Sequence, residues 1–208
     1  MKKVPLLLLA AGCLSAVPIP IVNFSFEDPV QILGSFNFGP ITGWTNVGIS
    51  GVFRPNSMEF NLPLPDGVQT GYSNGGAISQ ALSALQNSTK YTLQVDVGKR
   101  LDCCTAFGPV VQLFAGSTLI ATAPAVNPGL GNFLTATAMY TSLASDPLAG
   151  LALKIVLDSS GTQTDFDNVR LDATAAAGPG PAVPEPSAAG LLGLGLGVLF
   201  LVRKRLAL

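Results

Sequence analysis

A two-sheet antiparallel β-sandwich of the jelly-roll kind is the fold this chain predicts, and three observations predict it. Short runs of alternating apolar and polar residues recur along the chain. Gly, Pro, Asn and Asp clusters separate them. No stretch between Val17 and Ala173 keeps a helical period with caps. Many short strands, each apolar on one face, bury those faces most simply as two packed sheets.

The elements follow in order. Met1-Lys2-Lys3 and the apolar run Val4–Leu14 make the charged and hydrophobic parts of a signal peptide over 1–16, with cleavage at Ala16. A lipobox at Leu9-Ala10-Ala11-Gly12-Cys13 competes with it, and either one exports the chain. The sandwich occupies 17–173. Ile21–Glu27 alternates, with Val22, Phe24 and Phe26 on one face. Ala77–Ser83 groups Ile78, Gln80 and Leu82. Tyr91–Gly98 sends Tyr91, Leu93, Val95 and Val97 inward and Thr92, Gln94 and Asp96 outward. Val110–Ala115 and Thr118–Ala123 flank Gly116-Ser117, a hairpin turn. Phe133–Tyr140 alternates, and Leu151, Leu153, Ile155 and Leu157 share a face. Asp165–Asp172 closes the domain, with Asp167, Val169 and Leu171 on one side.

The remainder reads as linker and membrane signal. Segment 174–182 is rich in Ala, Gly and Pro and predicts a flexible linker. In 183–208, the prolines of Pro184-Glu185-Pro186 hold the chain extended. The apolar span 188–202 predicts a single C-terminal hydrophobic helix. It is shorter than the ~17–25 residues of a comfortable membrane span, which snorkelling basic residues and local bilayer thinning accommodate. Arg203, Lys204 and Arg205 stop it on the cytoplasmic side, so the domain upstream lies outside the inner membrane.

Composition narrows the chemistry. The chain has 208 residues, 48% hydrophobic and 11% charged. Five of its 11 basic residues sit in the two targeting ends. Val17–Ser187 keeps six Lys/Arg against twelve Asp/Glu, a net charge of −6, which repels phosphate backbones and argues against a nucleic-acid partner. There is no histidine, which removes the Ser-His-Asp triad, the Cys-His dyad and HExxH zinc chemistry. Cys103 and Cys104 are adjacent. They form a vicinal disulfide, pair with another chain, or stay free in a loop.

Two resemblances complete the reading. Val183-Pro184-Glu185-Pro186, the Gly/Leu-rich span and the basic tail resemble the PEP-CTERM sorting signal. That resemblance implies an exosortase-type membrane peptidase as partner, with Pro184, Glu185 and Pro186 recognised. Asn23-Phe24-Ser25-Phe26-Glu27, Gly43-Trp44-Thr45, Pro65-Asp66-Gly67, the run 91–98 and Asp165-Phe166-Asp167-Asn168-Val169 resemble the galactose-binding-like jelly rolls, which include many carbohydrate-binding modules. In such domains the first and last strands lie side by side and help bind a structural calcium. The resemblance places that role on Glu27 and Asp167, and Asp165 either reaches the same ion or stays solvated.

The function that follows is an exported, non-catalytic cell-surface or matrix module that binds extracellular polysaccharide. Trp44, Tyr72 and Arg100 are its candidate ligand residues, since sugar rings stack on aromatic faces and amides or Arg receive their hydroxyls. The competing class is a structural protein that self-associates in a surface layer or biofilm without a small ligand. No carboxylate pair with glycosidase geometry stands out on one strand, and the chain is expected not to be an enzyme.

Overall fold

The computed structural model describes residues 15–103 and 106–176. Nine strands form there: Val17–Pro18 (β1), Thr45–Phe53 (β2), Thr70–Ala84 (β3), Thr89–Lys99 (β4), Pro109–Ala115 (β5), Thr118–Thr122 (β6), Asn132–Thr141 (β7), Ala152–Ser159 (β8) and Thr164–Ala175 (β9). Among the described residues there is no helix, and so none long and apolar enough to cross a membrane. The protein is an all-β, jelly-roll-like sandwich.

The two layers share one ladder. Strand order is β6-β5-β8-β3-β9-β4-β7, with β2 added on β3 and β1 on β9. The 15 residues of β3 make the crossing. Gly71–Ser73 pair with β9, and Ala77–Ala84 pair with β8. Between them the chain passes Gly75-Gly76, opposite an irregularity in β2 at Gly48–Ser50. A Cβ on Gly76 would lie 2.3 Å from the Val47 carbonyl oxygen, so only glycine lets the strands approach there. That glycine-rich run looks like a loop in the sequence because its glycines serve a bend inside a strand.

One core fills the space between the layers. Ile78, Val111, Leu113, Ile155 and Leu157 face Tyr91, Leu93, Val95, Val97, Phe166, Val169 and Leu171. Burying such side chains contributes about 1.5–3 kcal/mol each. The hairpin at Gly116-Ser117 joins β5 and β6. Strand β2 has no counterpart in the sequence reading, because Gly48 and Gly51 interrupt its alternation.

Four expectations are corrected. Ile21–Glu27 is not a strand. Asn23 and Phe26 have φ of 50° and 60°, and the Phe26 N–H closes a turn onto the Asn23 carbonyl. Asn tolerates this left-handed backbone, and the Asn23 side chain secures the next loop through the Asp28 and Thr42 carbonyls. Val22 and Phe24 are consequently exposed, while Phe26 alone is buried. Asp167 does not share a face with Val169 and Leu171. Gln94 pairs with Arg170 and Asp96 with Asp167, so β9 carries one extra residue. Asn168, at φ 50°, lies within this bulge and reverses the side-chain alternation. The linker does not begin at 174, since β9 runs to Ala175 and pairs it with Thr89. Finally, the two expected sheets are joined through β3. The signal peptide through residue 14, the motif Pro184-Glu185-Pro186, the span 188–202 and the cluster Arg203-Lys204-Arg205 lie outside the described residues.

Candidate functional site

Alternation along β3, β4 and β9 builds the site. Gly71, Val97 and Phe166 meet across the strands and face the core. Thr70, Tyr72, Asp165 and Asp167 therefore point to the opposite face. Tyr72 and Asp165 are direct cross-strand partners, and Thr70 pairs with Phe53. A second small apolar cluster of Phe53, Phe60, Leu64 and Tyr72 covers this face, with Phe133 against it. The loop before β2 lies over it as well: the Tyr72 hydroxyl donates to the Asn37 carbonyl at 2.8 Å.

A cleft of about 250 Å³ opens between that loop and the strands. Its walls are aromatic and aliphatic. Phe36, Phe38 and Ile49 line it and are half or more exposed. The Phe36 ring stands edge-on to Phe38 at 5.4 Å and to Tyr72 at 6.1 Å. Asn74, Arg100 and Gln163 supply its polar groups. Arg100 is fixed on three sides. Its guanidinium lies 4.8 Å from the Phe53 ring centroid, and its Nε and Nη2 donate to Asp102 at 2.8 and 2.6 Å. Its Nη1 donates to Gln163 Oε1 at 3.3 Å. Burial alone would lower the Arg100 pKa, but the Asp102 bond and the charge of Asp165 outweigh it and hold the group above its usual value.

Asp165 sits beneath the cleft and is wholly buried. It accepts from the Thr70 hydroxyl at 3.1 Å and from the Gln163 amide at 3.3 and 3.2 Å. Gln163 thus bridges a cleft-lining cation and a buried acid. Burial pushes the Asp165 carboxyl up to about 7, against the Arg100 charge and the two hydrogen bonds. Burial, then the charge of Asp165, pushes the Tyr72 hydroxyl up to about 12, so it stays protonated. A protonatable carboxyl under an aromatic cleft can give a proton to a bound molecule and stabilise the positive charge that forms.

The residues singled out in the sequence fall in different places. Tyr72 and Arg100 line the cleft. Trp44 does not: it is 6% exposed, packs on Phe26 at 5.2 Å and donates its Nε1 to the Asn23 carbonyl, so its ring is a core surface and not a ligand platform. Glu27 and Asp167 come to opposite sides of one turn. Glu27 Oε1 accepts from the Val68 and Gln69 amides at 2.7 and 2.9 Å. Asp167 accepts from the Asp66 and Asn168 amides at 2.9 and 2.7 Å. Burial pushes Asp167 up to about 8; these two amide bonds oppose the shift, and the charges of Asp66 and Asp96 add to it. Among the described residues no group of three or more His, Cys, Asp or Glu is placed to hold a metal. Cys103 is disulfide-bonded, and Cys104 lies outside the described residues. Phe36, Phe38 and Gln163 were not singled out in the sequence. The pattern Phe36-Asn37-Phe38 within a Gly/Pro-flanked loop was the available signal.

A family model of HpiC1-like proteins, described as HpiC1 cyclase, matches residues 17–172. The chain belongs to the HpiC1-like family. A Stig cyclase (Fisc) from Fischerella sp. TAU, solved in complex with (3Z)-3-(1-methyl-2-pyrrolidinylidene)-3H-indole, is 30% identical with a TM-score of 0.69, over 78% of this chain and 100% of that one. An apo cyclase from Fischerella sp. is 28% identical with a TM-score of 0.71, over 79% and 99%. A cyclase from Fischerella sp. TAU in complex with 4-(1H-indol-3-yl)butan-2-one is 29% identical with a TM-score of 0.69, over 78% and 100%. No curated protein matches the chain.

Membership of the HpiC1-like family corrects the functional expectations. The chain is not assigned as a PEP-CTERM protein with a carbohydrate-binding ectodomain, because the family model that spans the domain is that of a cyclase. The non-catalytic glycan-binding or self-associating surface module gives way for the same reason, and so does the expectation that the chain is not an enzyme. The exosortase-type peptidase and extracellular polysaccharide are withdrawn as partners, since the family model over the domain is that of a cyclase. The short motifs behind the galactose-binding-like resemblance mark strands and turns of this chain's own fold, and such positions do not carry a function across families.

Proposed function

We propose that this protein is a cyclase, and that it binds a small substrate with an indole-like ring in the cleft of Phe36, Phe38 and Tyr72, above Asp165. The observation that carries the reading is the placement of one wholly buried carboxyl under an aromatic cleft. The indole compounds in the similar Fischerella cyclases support the substrate class. Aromatic walls hold a flat ring by edge and face contacts. They also exclude water, which strengthens electrostatic interactions at the reacting atoms.

The chain's own groups supply the steps. The substrate takes the place of the Gln163 amide at the Asp165 carboxyl. Asp165, protonated, delivers its proton to an electron-rich atom of the substrate, and the substrate becomes cationic. A neighbouring carbon–carbon double bond gives its electron pair to the cationic carbon, and the new ring bond forms. Loss of a proton to the Asp165 carboxylate ends the reaction, so substrate and product are isomers and no oxidant or reductant is consumed. Tyr72, fixed on the Asn37 carbonyl, positions the ring. The test is incubation of the purified chain with an alkene-bearing indole, followed by chromatography and mass analysis. A new compound of unchanged mass supports the reading, and full recovery of the starting indole from folded protein overturns it.

Calcium belongs to the same proposal, held at the turn by Glu27 and Asp167. Calcium takes six to eight oxygens, so backbone carbonyls and water complete the set. Its role there is to tie the start of the domain to β9 and to neutralise a buried acid. The melting temperature is expected to rise with calcium in the wild type and not in Asp167→Ala, as read by calorimetry with calcium and then chelator. An unchanged wild-type curve would remove the metal.

Export across the inner membrane is the localisation we propose, from the charged and apolar N-terminal segment. The disulfide at Cys103 fits an oxidising compartment.

A further inference from the structure

Two neighbours bond to the Asp165 carboxyl, and they do so unequally. Oδ1 accepts from the Thr70 hydroxyl and from the Gln163 amide, and among the described residues Oδ2 accepts from the Gln163 amide alone. A glutamine side chain ends in one acceptor and one donor of nearly the same shape. Which end faces Asp165 decides what the carboxyl can do with a proton. The amide nitrogen donates and cannot accept. The amide oxygen, turned the same way, would accept the proton and keep it.

Arg100 makes that choice. A guanidinium carries donors only, so its Nη1, 3.3 Å from Gln163, admits only Oε1. With Oε1 on Arg100, Nε2 is left for Asp165, 3.3 and 3.2 Å from its two oxygens. The arginine is itself held. Asp102 accepts from Nε and Nη2, and the guanidinium lies against the Phe53 ring. Asp102 thus fixes Arg100, Arg100 fixes the glutamine, and the glutamine presents a donor to the acid.

We propose that Arg100 and Gln163 are positioning residues that keep the Asp165 proton free for a bound molecule. The inference rests on the reading of Asp165 as the acid of a cyclase. The Gln163 amide occupies the carboxyl without taking its proton, and a substrate that displaces the amide meets a carboxyl ready to donate. Without Arg100 the amide turns over, Oε1 accepts the proton, and the neutral carboxyl is stabilised. The other charged and titratable groups here are Tyr72 on β3, whose hydroxyl stays protonated, Asp102, and Glu59, which acts on Arg100.

NMR titration of the Asp165 carboxyl carbon in the purified full-length chain tests this, with Asp165→Asn to assign the signal. The wild-type midpoint should lie at about 7. Arg100→Met should raise it by about one pH unit or more, through lost charge and the turned amide together. Arg100→Lys keeps the charge and the donors and should return it most of the way. In a Gln163→Leu background, Arg100→Met should raise the midpoint by about half as much or less, since no amide is left to turn. Gln163→Glu keeps the shape and the Arg100 bond but sets an acceptor against Asp165. It should raise the midpoint as well, and it serves if Arg100→Met fails to fold. An unmoved midpoint, or a rise from Arg100→Met that is undiminished without Gln163, overturns the inference. The titration needs no turnover, so its failure is separate from that of the cyclase reading, which falls if Asp165→Asn keeps the rate of ring closure.

Discussion

Asp165→Asn is expected to lower the rate of ring closure by about 10²–10⁴-fold, the range a positioned general acid contributes, while leaving the protein folded. Asn keeps the shape of Asp, and it can still accept from the Thr70 hydroxyl and the Gln163 amide. What it lacks is a proton to give. The carboxyl is wholly buried where β9 lies between β3 and β4, so only an isosteric replacement that keeps these two partners leaves the packing around it unchanged. The measurement is initial rate at saturating substrate, with far-ultraviolet circular dichroism as the check on folding. A folded Asp165→Asn protein that retains the wild-type rate would move the acid elsewhere. Loss of rate with unchanged KM would locate the effect in the transition state and not in binding.

Phe26→Ala is expected to destabilise the fold by about 3–5 kcal/mol, the usual cost of deleting a buried phenyl ring. Phe26 is wholly buried and stacks on Trp44 at 5.2 Å. Its ring fills the space over Gly71, where an added Cβ would lie 2.7 Å from the ring. Gly71 and Phe26 are thus two halves of one contact, between the opening turn and the strand that carries Tyr72. The cavity left by alanine cannot close, because the strand behind it is paired on both sides. Chemical denaturation read through Trp44 emission measures the loss. A change below about 1 kcal/mol would mean that the opening turn is not integral to the core.

The strands were legible where one face is buried and the other is wet. Tyr91–Gly98 and Leu153–Leu157 alternate because water and core alternate around them. Strands β2 and the first half of β3 were not legible, because their glycines answer to a bend and a close crossing of backbones, which composition reads as loop. The opening turn was misread for a related reason. Val22, Phe24 and Phe26 alternate like a strand, but Asn23 sets a left-handed backbone that no periodicity reports. The bulge at Asn168 is another case: one extra residue, invisible in a pattern of period two, moves Asp167 from the predicted face to the other.

The site was half legible. Tyr72 and Arg100 stand out in the sequence as an aromatic and a cation in loop-like segments, and they line the cleft. In the sequence Asp165 reads as a neighbour of the predicted calcium, as a solvated acid, or as one half of a carboxylate pair with Asp167 that lacks glycosidase geometry. Its burial is set by tertiary neighbours such as Thr70 from β3, 95 residues away, and the nearby Gln163 does not by itself announce a buried acid. Trp44, the only tryptophan, attracted a ligand role that its core packing does not support. The largest functional correction arose from an inference by fold. Short motifs that mark strands and turns report a fold and not a function, and the cleft over the outer face of β3, β4 and β9 is assembled from residues that those motifs do not include.

A crystal structure of the chain with 4-(1H-indol-3-yl)butan-2-one tests that face most directly. The account predicts the indole ring between Phe36, Phe38 and Tyr72, with the Gln163 amide displaced and the ketone end turned toward Asp165. An indole bound away from these residues, or a cleft that stays empty at saturating ligand, would contradict it.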